Sequence, residues 1–161
     1  LVLENLNDAV KRDPKFTAGF YELFYYYFYR KQYDKAEVEL KNLIQSKAPM
    51  TDVSDDSYYA DLCWARGDYD CAIAKDEKLV SQLGDKTNPR AYKLLADAYF
   101  KKNDFANAKK NIDKFFQKQN PDNLISFDYQ LKAEILAKMG ATDEEVYQTY
   151  LAGSALDTVI N

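Results

Sequence analysis

Three short segments of this chain align without gaps at a spacing of 36 residues: KQYDKA at 31–36, GDYDCA at 67–72 and NDFANA at 103–108. Tyr33, Tyr69 and Phe105 fill one column, and Ala36, Ala72 and Ala108 fill another. A fixed period of this length constrains the fold more than any other feature. Each unit is one supersecondary element that cannot bury its apolar face alone, so successive units must stack. Upstream of each segment the apolar residues are spaced as on a helix. Phe20, Leu23, Phe24 and Tyr27 fall at i, i+3, i+4 and i+7, and Tyr92, Leu95, Ala96 and Tyr99 repeat that spacing. Asp56, Tyr59, Ala60 and Cys63 form a weaker version. Downstream, Ala36, Leu40 and Leu43 make the inner stripe of a second helix, as do Ala108, Ile112 and Phe115. Two antiparallel helices joined by a short turn touch near that turn only through small side chains. Ala60 is therefore expected to meet Ala72, and Ala96 to meet Ala108; a large residue there costs roughly 1–3 kcal/mol through overpacking.

This pattern resembles the tetratricopeptide repeat (TPR), a helix–turn–helix unit of about 34 residues. The resemblance covers nearly the whole chain. It implies an all-α fold: an α-solenoid of antiparallel helix pairs wound as a right-handed superhelix, with about nine helices. The longer period is assigned to extended loops, SKAPMTDVSDD and LGDKTNP. Asn88 and Pro89 read as N-cap and first helical residue. A fourth unit from about Ser126 keeps Tyr129, Ala133 and Leu136 but lacks the aromatic after Gly140. Thr142 and Glu145 supply a capping box there, and Val146, Tyr150 and Leu156 are expected on the inner stripe. The expectation is a single TPR-like array over 1–161. Residues 1–14 are the second helix of a truncated unit ending at Pro14, and helix pairs follow at 17–47, 54–83, 89–119 and 126–157. Tyr150, Leu151, Leu156, Val159 and Ile160 remain available at one end, and the first segment begins inside a unit. A longer array, or self-association through the end helices, is expected, since terminal units ordinarily carry a polar outer face.

Between Phe20 and Tyr29, eight of ten residues are aromatic. One set of rings faces the partner helix, while Tyr21, Tyr25, Phe28 and Tyr29 lie on another side. In TPR arrays the first helix of each pair lines a concave surface. Carried over by position, the resemblance puts those four rings in a groove with Tyr58, Asp61 and Trp64 from the second unit. Lys93, Asp97, Phe100 and Lys101 follow from the third, flanked by Arg90, and Phe127, Gln130 and Glu134 from the fourth. Trp64, the only Trp, is expected beside Tyr25, Tyr29 and Phe100. Tyr suits such a face because it joins a large rigid ring to a polar tip. The competing reading is that neighbouring helices, residues 1–12 included, simply cover the rings. The Lys/Asn/Arg carboxylate clamp of some TPR domains is missing. Its positions hold Tyr21, Tyr25, Tyr58 and Leu94, with only Arg90 of the right type.

Other function classes find little support. Net charge is −4 with both signs mixed, so no field favours nucleic acid. No apolar run reaches the roughly 18–20 residues of a membrane span. The chain has no His and only isolated Gly, so neither a catalytic triad nor a phosphate loop is available. No catalytic residue, metal site or cofactor is expected. Asp55-Asp56 and Glu144-Glu145 sit where helices start, which the helix dipole explains. Cys63 and Cys71, eight apart, are expected to be reduced, buried and unlinked; a disulfide requires a turn that brings their Cα atoms within about 7 Å. Asp76 stands where its neighbouring units have Leu40 and Ile112. A solvated or salt-bridged acid is expected there, against the alternative of a semi-buried carboxylate. The first reading is a non-enzymatic protein-interaction scaffold binding a peptide or protein segment in an aromatic groove. Two alternatives stay open: a carbohydrate-binding module that stacks Tyr and Trp on sugar rings, and an architectural piece of a longer solenoid. Tyr-rich units of this kind are similar to those of bacterial envelope proteins, which implies a bacterial, periplasmic or envelope location.

Overall fold

A computed structural model describes residues 2–50, 52–53 and 55–157. The described residues form nine α-helices in chain order: α1 (Val2–Arg12), α2 (Thr17–Tyr29), α3 (Tyr33–Ser46), α4 (Asp55–Ala65), α5 (Tyr69–Leu83), α6 (Pro89–Lys101), α7 (Phe105–Lys118), α8 (Ser126–Lys138) and α9 (Asp143–Asp157). They contain no strand. The expectations at Val159 and Ile160 lie outside the described residues. Two compact units are present, residues 1–75 and 76–161, with the division inside α5.

The helices alternate because the same turn is built four times. Lys31, Gly67, Asn103 and Gly140 all have positive φ, at 57°, 78°, 61° and 80°. In each case the following residue's N–H reaches back to a carbonyl five residues earlier. The bonds are Gln32 to Tyr27, Asp68 to Cys63, Asp104 to Tyr99 (2.9 Å each) and Ala141 to Leu136 (3.1 Å). This is a Schellman closure, in which one left-handed residue ends a helix and satisfies its last carbonyls. The chain then re-enters a helix at the aromatic column, Tyr33, Tyr69 and Phe105.

In the first unit α2 packs on α3, α1 on α2 and α3 on α4. Phe20, Phe24, Ala36, Leu40, Leu43 and Leu62 form one buried cluster. Gly19 is buried where a Cβ would stand 2.5 Å from the Phe16 ring and 2.7 Å from Val10, so α1 and the segment before α2 close tightly on it. Arg66, after α4, donates to Glu37 at 2.7 Å and to Asp34 at 2.8 Å on α3. Hydrogen bonds from Lys41 and then Arg66 hold the Glu37 carboxyl below its ordinary range. Ala60 and Ala72 are buried as the repeat requires.

In the second unit α6 packs on α7, α7 on α8 and α8 on α9. Ala96 and Ala108 share a buried cluster with Tyr92, Ile112, Phe115, Leu131 and Ile135. Asn88 caps α6 by accepting from the Arg90 N–H at 2.9 Å, with Pro89 at the first position. The Thr142–Glu145 box forms in both directions, at 3.0 and 3.3 Å. Tyr150, expected inside, is 41 % exposed; the buried residue of α9 is Gly153. A Cβ on Gly153 would lie 2.7 Å from Tyr129 Cβ, so α8 and α9 approach through a missing side chain rather than through a ring.

Two further expectations are corrected. Cys63 and Cys71 are joined in a disulfide, with Cα atoms 5.7 Å apart. The left-handed turn at Gly67 lies midway between them and reverses the chain, bringing the end of α4 to the start of α5, which supplies the approach that spacing alone could not establish. Asp76 is only 1 % exposed, so it is an interior carboxylate and not a solvated one.

Candidate functional site

The aromatic helix α2 divides its rings between two jobs. Phe20 and Phe24 are buried in the core with Leu23, while Tyr21 and Tyr29 are 38 % and 76 % exposed. Tyr25 and Phe28 are half-buried between these extremes. Tyr21, Tyr25 and Tyr29 recur every four residues, so they form one stripe along the helix. Tyr21 and Tyr25 meet edge to face at 4.8 Å between centroids, and Tyr25 and Tyr29 stack at 5.7 Å with planes 24° apart. Tyr58 joins from α4, 6.2 Å from Tyr21 and 6.4 Å from Tyr25, with both contacts edge-on. The result is a patch of four phenol rings held by two helices, with Phe24 beneath (5.8 Å from Tyr58) and Phe28 at its side.

Burial holds two of the four phenols, Tyr25 and Tyr58, un-ionised. Burial, then hydrogen bonding to Tyr21, pushes the Tyr25 hydroxyl well above the usual phenol range. Burial also raises Tyr58, followed by the neighbouring Tyr21, with Lys47 opposing. These groups therefore present un-ionised O–H tips beside apolar ring faces. The Lys47 ammonium lies 6.0 Å from the Tyr58 ring and 2.5 Å from Asp55. Asp55 is itself buried and accepts from the Asp52 N–H at 3.3 Å, so this charge pair is a fixed part of the rim. Such a surface buries area against a partner and accepts or donates hydrogen bonds at its tips.

Asp61, expected on an open groove, is 7 % exposed and lies beneath the tyrosines, where its charge adds to the raised pKa values of Tyr25 and Tyr58. Trp64, in the last turn of α4, is 37 % exposed. In the second unit Asp97 is likewise buried, at 8 % exposure. Lys93 is not a free cation. It pairs with Asp128, which is 1 % exposed, and its ammonium lies 5.7 Å from the centroids of both Phe115 and Phe127. The same Asp128 accepts from the Ile125 N–H at 3.1 Å, so one carboxylate caps α8 and neutralises a lysine of α6. Phe100 is half-buried with its ring 5.7 Å from Phe105, and Lys101 is exposed. Sequence reasoning missed the Asp128 pair. Its signal was an acid three residues after Ile125, the N-cap position of α8, which is ordinarily read as capping alone. Among the described residues no group of His, Cys, Asp or Glu could hold a metal ion, and no helix is long and apolar enough to cross a membrane.

No protein-family model matches the chain, and no curated protein matches it. Solved structures do. A tetratricopeptide repeat protein from Parabacteroides merdae ATCC 43184 aligns over 96 % of this chain with a TM-score of 0.73 and 21 % identity. The chain spans 57 % of that protein's length. PilW, a widely conserved type IV pilus biogenesis factor, aligns over 97 % of this chain and 88 % of its own, with a TM-score of 0.58 and 17 % identity. At these identities the shared property is the fold: the chain has the all-α, TPR-like helical repeat fold.

Proposed function

We propose that this chain is a non-catalytic protein-interaction scaffold that binds a peptide or protein segment on the aromatic face of α2 and α4, with its helix pairs arranged as one TPR-like array. The observation carrying this reading is the phenol patch of Tyr21, Tyr25, Tyr29 and Tyr58, in which Tyr29 leaves three quarters of its surface in water. Core packing explains Phe20 and Phe24 but gives no reason for Tyr21 and Tyr29. Exposed Tyr at a rigid helical site is a common anchor for a partner. The TPR-like neighbours support a protein partner over a small substrate. The Cys63–Cys71 disulfide favours an oxidising compartment such as a periplasm.

The test is a displayed peptide library selected on the parent protein, with the enriched peptides then measured on a Tyr21→Ala, Tyr29→Ala double variant. Enriched peptides should bind the parent and lose about 2 kcal/mol or more on the variant, as hot-spot residues do. If every enriched peptide binds both proteins equally, the aromatic face is not the site. A parallel oligosaccharide array decides against the carbohydrate alternative: sugar binding lost in the same variant would replace a peptide ligand with a glycan.

A further inference from the structure

The second unit carries an open pocket of 470 Å³ between the C-terminal half of α5, α6 and α7. Its floor is Tyr92 and Leu95, both buried, with Val80 alongside. One wall is a polar stripe of α7: Asn107, Lys110, Asn111 and Lys114, at i, i+3, i+4 and i+7. We infer that this pocket is a second binding site, and that its occupant is an acidic peptide segment that sets an apolar side chain on the floor and a carboxylate against Lys110 and Lys114.

Of the four lysines of α7, two are already paired. Lys109 pairs with Asp113 on its own helix, and Lys118 lies 3.5 Å from Asp85. Lys110 and Lys114 have no carboxylate partner among the described residues; Lys114 donates to the Gln117 side-chain oxygen at 3.1 Å. In a chain of net charge −4, two uncompensated ammoniums one turn apart on a pocket wall form a local positive field. Asn111 donates its amide to the Asn107 carbonyl at 2.9 Å, which fixes its side chain and leaves its oxygen as an acceptor for a peptide N–H. The opposite wall carries Glu77, whose carboxylate is bound at 2.5 Å by the Tyr99 hydroxyl. That bond engages Glu77 on the α5 side of the pocket, so the polarity of the site is acid toward α7 and N–H or hydroxyl toward α5. A volume of this size is in the range of sites that hold a few side chains, and an apolar floor with few convergent polar groups is their usual composition.

The probe is a short fluorescein-labelled peptide of alternating Glu and Leu, with its Lys-for-Glu counterpart as control, titrated by anisotropy. The parent should bind the acidic peptide, prefer it to the basic one, and weaken as salt rises. A Lys110→Gln, Lys114→Gln double variant should keep the parent's circular dichroism melt and lose about tenfold or more in affinity. The Tyr21→Ala, Tyr29→Ala variant should bind as the parent does, which separates this site from the aromatic face. Absence of binding, equal affinity for both peptides, unchanged affinity in the lysine variant, or loss in the tyrosine variant would each overturn the assignment.

Discussion

Replacing Lys31 by glycine should make the protein more stable. Lys31 holds φ at 57°, a conformation that places Cβ against the following carbonyl and costs an L-residue about 1–2 kcal/mol. Glycine removes that cost but brings extra freedom to the unfolded chain, worth about 0.5–1 kcal/mol. The midpoints, about 1.5 against about 0.75 kcal/mol, leave a net gain of roughly 0.75 kcal/mol. The Lys31 side chain is exposed, so little is lost with it. With unfolding entropy near 2.1 cal/mol/K per residue, a chain of this length should melt about 1–3 °C higher. Lys31→Ala is the control, since it deletes the same side chain and keeps the strained φ; it should leave stability almost unchanged. The mirror experiment is Gly67→Ala. A Cβ at Gly67 meets nothing within 4 Å, so its cost is purely conformational, about 1 kcal/mol, with no packing contribution. Asn103→Gly should gain less than Lys31→Gly, because Asn tolerates the left-handed region. Guanidinium unfolding of the set gives the ranking. If Lys31→Gly is neutral or destabilising, or if Lys31→Ala stabilises as much, the left-handed turn is not what limits this position.

Gly153→Ala should destabilise by about 1 kcal/mol despite alanine's better helix propensity, because the new methyl collides with Tyr129 Cβ; a denaturant melt no weaker than the parent's would refute the close approach of α8 and α9. The disulfide closes a loop with a sequence separation of 8, so reduction or a Cys63→Ser, Cys71→Ser variant should cost up to about 2.5 kcal/mol, and the denatured, unreduced protein should show no free thiol in a thiol assay. The Tyr99 hydroxyl is pushed up to about 12 by burial and by its bond to Glu77. Its folded value exceeds the ordinary phenol value of about 10, so its contribution is complete below that pH and is lost as pH rises from about 10 to 12. Tyrosinate absorbance during alkaline titration should show this late step, and Tyr99→Phe should remove one phenol's share of it, since Tyr25 and Tyr58 are also raised.

The columns at 33, 69 and 105 and at 36, 72 and 108 were enough to read helix pairs, because a buried Ala opposite a helical stripe has one geometric meaning. The caps at Asn88 and at Thr142–Glu145 were legible for a similar reason: few residue types satisfy an open helix end. Burial on the second face of α2 was not legible. Tyr21, Tyr25 and Phe28 are all aromatic and lie off the core stripe, yet Tyr21 is 38 % exposed while the other two are half-buried, and Tyr58 of α4 lies against both Tyr21 and Tyr25. Asp61 and Asp97 sit in the same repeat column as Tyr25, and both are buried. Periodicity places a residue on a face but does not say whether the next helix covers it.

The disulfide illustrates what the repeat contains beyond its apolar columns. Gly67 is the left-handed residue of its turn, and Cys63 and Cys71 stand four residues to either side of it. In a helical hairpin, positions equidistant from the turn face one another. The corresponding positions of the preceding repeat are Tyr27 and Lys35, four to either side of Lys31. They are also in contact, with the Lys35 ammonium 5.4 Å from the Tyr27 ring centroid. The same pair of columns thus holds a cation over a ring in one repeat and a covalent bond in the next. Spacing of eight carries no meaning by itself, but spacing of eight centred on a left-handed turn residue does. Aligning the turn by its φ requirement, with Lys31, Gly67, Asn103 and Gly140 as one column, turns two isolated cysteines into facing ones. That column groups a lysine, an asparagine and two glycines, which share a backbone conformation and no side-chain chemistry. A pattern written in side chains passes over it for that reason.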